Sequence, residues 1–391
     1  MSESKNDTKT KPGPRNMKQR YAKPLLLILL ILLLFASVVL VYLISGHIKA
    51  KKGAVEPLRL SAIAGFDCEY TEAQRLYPFA NGLIKLTSTR VAYLSISGNE
   101  IYGYDMSLEN PTCIVNDKYC MVCDTEGFLY SLFDEDGLVY SEHMDTKISY
   151  CSLAPSGLAA FIIDSYTGKG SVYIVETDGT FLAQWDSVES GYPISLCFSP
   201  DESHLSVSLV DTDGSEMVPH VKQFQIPDDR EIDRPTEAAF YSPALNAIMP
   251  SMAYYSNESV ALCGISQVAL IDEASCQILE TTFPVITSVC SYDGGICIFY
   301  SDGISLPVKV AIIDDQARLL GEVSLGNNLI AYDVKDNRMI VAYDDQVIQI
   351  DLSNQKVNDR MTVDEQVIRL SFYGSKNICL VTSSGVREIA M

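Results

Sequence analysis

KISYCSLAPSGLAAFIIDSYTGKGSVYIVETDGTFLAQWDS, residues 147–187, holds four short apolar runs separated by turn residues. The runs KISYCSL, LAAFIID, GSVYIVE and TFLAQWD are rich in β-branched and aromatic residues, the composition of short strands rather than helices. The breaks APSG, SYTGKG and TDG supply the Gly, Asp, Ser and Pro that tight turns require. Four strands in so short a stretch make one antiparallel meander. A second begins at once with PISLCFSPDES, HLSVSLVDTDG and HVKQFQI. From Ile148 to Pro193 the pattern repeats after about 45 residues, the length of one four-stranded propeller blade.

Outward from this pair, further strand groups start near Ala247, Val285, Leu329 and Val367, at spacings of roughly 38 to 54 residues. The first group is placed near Gly82. No segment past about Pro57 sustains a helical period, so the region is all-β. A blade cannot bury both its faces alone, so blades pack on one another and close into a ring. Eight groups favour a single eight-bladed β-propeller, with seven blades as the other count. The last group, QVIRLSFYG–KNICLVTSS–GVREIAM, lacks a fourth strand. LRLSAIAG, residues 58–65, is predicted to supply it and close the ring. Pro227–Pro243, charged and turn-rich, is predicted to be a surface loop between blades.

Ahead of this domain runs LLLILLILLLFASVVLVYLI, Leu25–Ile44, without a charge. A helix of this length spans ~30 Å, one bilayer core. Residues 1–24 carry Lys5, Lys9, Lys11, Arg15, Lys18, Arg20 and Lys23 against Glu3 and Asp7. Basic flanks stay cytoplasmic, and their Pro/Gly/Lys composition predicts disorder. A cleaved signal peptide is the other reading, but Ser45-Gly46-His47 is a poor cleavage site and the apolar run is long for one. The expected order is a disordered basic cytoplasmic tail at 1–24, a transmembrane helix at 25–45, a linker at 46–56 and an extracytoplasmic propeller at 57–391.

The chain carries 29 basic and 50 acidic residues, a net charge of −21, and the basic tail leaves the remainder more acidic still. Such a field repels polyanions, which argues against nucleic acid as a partner. The eleven cysteines lie mostly inside apolar runs such as CMVCD, SLCFS, VALCG and NICLV. Free Cys behaves there as a small buried hydrophobe, and a domain this large folds without disulfide staples. So many free thiols outside a membrane suggest a cell living with little oxygen.

The turns APSG (154–157) and SPDE (199–202) resemble the S-P-D-G turn of bacterial WD40-like and TolB-like propellers. The stretches VAYLSISGNEIYGYDMSLENPTCIVNDKYCMVCD (91–124) and CFSPDESHLSVSLVDTDG (197–214) resemble a more particular group. These are single-pass proteins of clostridia-type Gram-positive bacteria, domain-of-unknown-function family 5711. The resemblance runs over most of the chain and implies an anchor followed by a propeller. It implies no chemistry, because that family has no established activity. The chain departs from true WD repeats: it has one Trp, Trp185, and no Gly-His or Trp-Asp pairs.

Each motif that could carry chemistry has a plainer reading. Cys120-Met-Val-Cys123 has the spacing of thiol–disulfide enzymes, but those place it at a helix start. In a strand, residues i and i+3 face opposite ways, so both are predicted to be core cysteines. Cys290 and Cys297 flank an Asp293-Gly294 turn and are expected opposite each other, as packed thiols or a cross-strand disulfide. Asp134-Glu135-Asp136-Gly137 and Asp211-Thr212-Asp213-Gly214 invite a calcium reading, with Glu216 following the second. The full alternating ligand pattern is missing, so hairpin turns are expected. His47, His143, His204 and His220 form no close pair. Asp178-Gly179…Trp185 is only a partial echo of a sialidase box. No hydrolase elbow, zincin or phosphate-loop motif occurs. The sequence therefore assigns no catalytic, cofactor-binding or metal-binding residue, and no cofactor.

The leading expectation is a non-enzymatic binding or scaffolding module at the cell membrane, held by Leu25–Ile44 and engaging another envelope protein. The alternatives are a sensor of a small ligand or cation in an acidic channel and, behind it, an envelope glycan hydrolase or lyase.

Overall fold

The computed structural model describes residues 58–59, 62–166, 168–227, 234–243, 247–272, 275–374 and 376–390. The predicted tail, span and linker, with His47, lie outside the described residues. Pro57–Met391 is one compact unit.

The described strands form eight sheets, seven of four strands and one of five. Six sheets follow chain order from an innermost to an outer strand, and the other two each take an outermost strand from the start of the domain. The innermost strands are Arg75–Phe79, Pro111–Val115, Ile148–Leu153, Tyr192–Phe198, Ser251–Tyr254, Val285–Tyr292, Leu329–Lys335 and Val367–Tyr373. Successive innermost strands touch, and the eighth touches the first, so the ring is closed. This is the all-β, eight-bladed propeller read from the strand groups.

Alternation explains the packing. Between blades three and four, Ile162, Val172, Ile174 and Leu182 meet Leu196, Leu205, Val207, Leu209 and Phe224. Each blade's middle strands are buried on both faces, as Ala159–Ile163 and Gly295–Ser301 illustrate. They read accordingly as continuous apolar runs.

Closure is made by the predicted segment. Ala62–Asp67 is the outer strand of blade eight, antiparallel to Gly385–Ala390. Its neighbour Leu58–Arg59 does something else: it pairs in parallel with Lys356–Thr362, the outer strand of blade seven.

Three expected boundaries move. Blade one starts at Arg75, a strand earlier than Gly82. Pro78 disguised that strand, yet an innermost strand has one unpaired edge where a missing N–H is tolerated. Ala80, at φ 48, then makes the tight turn to Gly82. Pro227–Pro243 is not all loop, because Thr236–Tyr241 is the outer strand of blade four; its half-exposed residues hid the alternation. Blade five's innermost strand starts at Ser251 rather than near Ala247.

Candidate functional site

The eight innermost strands surround a central channel. One cavity of about 750 Å³ is lined by Tyr77, Cys113, Asn327, Asn328, Asp333 and Arg369, among others. A second, of about 720 Å³, is lined by Asn81, Asp117, Glu135, Asp293, Asp336 and Tyr373, among others. Pro78, Val115, Asp333 and Ser371 border both.

Asp333 sits at this waist, tied to the neighbouring blade. Its Oδ2 accepts hydrogen bonds from Ser371 Oγ at 2.7 Å and from the Phe372 N–H at 2.8 Å. Its Oδ1 accepts from the Val334 N–H at 2.8 Å. Burial nevertheless pushes its carboxyl above the usual range, against the pull of these donors. The Phe372 bond also satisfies a backbone donor on the open edge of an innermost strand.

Arg369, on Val367–Tyr373, stacks its guanidinium 4.2 Å from the centre of the Tyr77 ring. Its Nε is buried without a hydrogen-bond partner. Arg90, Arg318 and Arg387 are each paired with carboxylates. No sequence motif marks Arg369 or Asp333. Their one signal was a charge interrupting an apolar inner strand, in VIRLSFY and LIAYDVK.

The sequence candidates resolve as structural parts. Cys120 and Cys123 are both buried and face apart: Cys120 Sγ lies 3.4 Å from Cys113 Sγ, and Cys123 Sγ lies 3.0 Å from Cys151 Sγ. All eleven cysteines are free. Cys290 and Cys297 stand directly opposite in the ladder as thiols. Asp134 caps its own turn, accepting from the N–H groups of Asp136 and Gly137, while Glu135 accepts from Asn81. Asp213 and Asp211 lie 2.6 and 3.7 Å from Lys169 Nζ, which supplies the positive charge at that turn. Glu216 is exposed. His220 lies 3.8 Å from Asp211, and burial lowers its pKa. His204 contacts Ser203 through Nδ1, and His143 ends an outer strand. Asp178 caps its own turn by accepting from Thr180, and Trp185 packs on Phe224. Among the described residues no group of three or more His, Cys, Asp or Glu could hold a metal ion.

The two faces of the ring differ. One carries the blade-to-blade connections and the loops between second and third strands. There, in blades two to six, lie the exposed Phe128, Tyr166, Val188, Met217, Ile248, Ile265, Ile304 and Leu306. Tyr166 is 87% and Ile304 90% exposed. The other face carries the remaining hairpins. Among its described loop residues there is no exposed large apolar side chain, and turns such as 134–137, 293–294 and 336–337 present acids instead.

Solved propellers share this fold at low identity. Sqt1 of Saccharomyces cerevisiae is 12% identical, with a TM-score of 0.59 over 85% of this chain and 100% of its own. AztD of Citrobacter koseri, without ligand, is 12% identical, with a TM-score of 0.51 over 74% of this chain and 86% of its own. BamB of Moraxella catarrhalis is 10% identical, with a TM-score of 0.50 over 85% and 100%. These likenesses show the fold alone. No curated protein matches the sequence. Residues 59–391 match the model of DUF5711, a family of unknown function, and the chain belongs to that family.

Proposed function

We infer that this protein is a membrane-tethered, extracytoplasmic protein-binding module, which uses the loop face of blades two to six to hold an envelope protein. The observation that carries the reading is that, among the described loops, the exposed large apolar residues all lie on one face. Here eight large apolar residues occupy loops of consecutive blades on one face. Loops are where a rigid scaffold carries recognition.

Leu25–Ile44 would hold the module at the membrane, with the basic tail inside and the propeller outside. Protease added to intact cells would then remove the propeller and spare a tag at the N-terminus.

The binding claim is tested by mild cross-linking in native cells, followed by affinity purification of the full-length chain. One envelope protein in near-equal amount is expected with the native sequence, and its loss with Ile265→Asp combined with Ile304→Asp. Recovery of the same partner with the double variant would overturn the reading.

A further inference from the structure

We propose that the central channel binds a small zwitterion, one carboxylate and one ammonium group, of the amino-acid or short-peptide class.

Arg369 provides the anion end. Arg369 lines the 750 Å³ cavity, and among the described residues no carboxylate forms an ion pair with it. Tyr77 covers one face of the guanidinium, which leaves the edge that carries the N–H donors. A guanidinium fork is built to receive a carboxylate in a two-point contact. The buried Nε lacks an acceptor, and an unsatisfied buried donor costs free energy that a bound carboxylate would recover.

Asp333 provides the cation end. Its three protein donors leave a carboxylate oxygen with capacity to accept another hydrogen bond. Burial has stripped it of part of its hydration, a cost that a bound ammonium offsets.

The two groups are held apart. Ser371, which binds Asp333, and Arg369 are two residues apart on one strand. They project to the same side with a spacing of ~6.6 Å. The charges line one cavity without forming an ion pair, so each remains available to a bridging ligand.

The field of the chain selects against the simpler alternative. At −21 overall, and with Asp333 in the same cavity, the channel repels phosphate and dicarboxylates. A molecule with no net charge avoids that penalty. The cavity volume falls in the range of small-molecule sites, and Val308, Leu329 and Tyr77 give it apolar wall for an aliphatic body.

The test is calorimetric titration of the full-length protein with L-alanine, dialanine and trialanine, compared with succinate and putrescine. Binding by at least one of the alanine series is expected, with neither succinate nor putrescine matching it. The tightest of the three identifies a free amino acid or a peptide as the source. Arg369→Gln and Asp333→Asn should each weaken that binding at least about tenfold, and Arg369→Lys should retain more of it than Arg369→Gln. Circular dichroism checks the fold of each variant. Should the variants misfold, the native comparison of alanine peptides with succinate still decides. Absence of binding by all three alanine compounds would overturn the proposal. So would succinate binding as tightly as they do, or unchanged affinity in folded Arg369→Gln.

Discussion

Arg387 donates from Nη1 to the carbonyl oxygen of Phe66 at 3.1 Å, although 321 residues separate them. The bond belongs to the seam where the first strand of the ring is zipped onto the last. Arg387 also pairs with Asp67 and Glu365. Gly65 is the tight point of that seam: its φ is 145, and a Cβ there would meet the Val386 carbonyl oxygen at 2.1 Å. Gly65→Val is therefore expected to destabilise the domain by about 1–3 kcal/mol, through strain and a displaced closing strand. Urea denaturation reads this directly. An unchanged midpoint would mean that the seam contributes little to holding the ring.

The ring and its closure were legible because every blade repeats one local pattern: apolar runs broken by Gly, Asp, Asn or Ser. Even the missing fourth strand of blade eight pointed to residues 58–65. What misled was local as well. Pro78 hid an innermost strand whose open edge accepts it, and the charges around Thr236–Tyr241 hid an outer strand. The channel residues were illegible for another reason. Tyr77, Asp333 and Arg369 come from blades one, seven and eight and meet only once the ring closes. The apolar face likewise gathers single residues such as Phe128, Tyr166 and Ile304, which no local period connects.

Buried thiols should make the fold sensitive to alkali. Burial pushes the Cys197 thiol up to about 11, and those of Cys263 and Cys379 to about 12. In the unfolded chain they ionise near the ordinary value of 9.0. Above that pH the unfolded state has lost protons that the folded state keeps, so stability falls. The decline runs from about pH 9 to the folded values. Tyr93, Tyr292 and Tyr332, each pushed up to about 12 by burial, add to it from about pH 10. A urea midpoint that stays level or rises from about pH 9 to 11 would contradict this.

Asp314 governs part of the acid limb. Burial alone would raise its pKa, but the Arg318 guanidinium and the N–H groups of Gln316 and Arg318 outweigh burial and lower it. A lowered folded pKa adds stability that is present above the unfolded value and lost as pH falls through the folded one. Asp314→Asn should cost about 1–3 kcal/mol near pH 7. The gap from the native protein should narrow below about pH 4. A gap independent of pH would show that the carboxylate charge is immaterial there.

The central claim is that the apolar loop face holds a protein partner, and site-specific photo-cross-linking tests it most directly. A photoreactive residue would replace Ile304 on that face or, separately, Glu258 in a hairpin of the opposite face, in the full-length protein in its native membrane. The account predicts one discrete adduct from position 304 and none from position 258. An adduct from 258 alone, or none from either position, would contradict it.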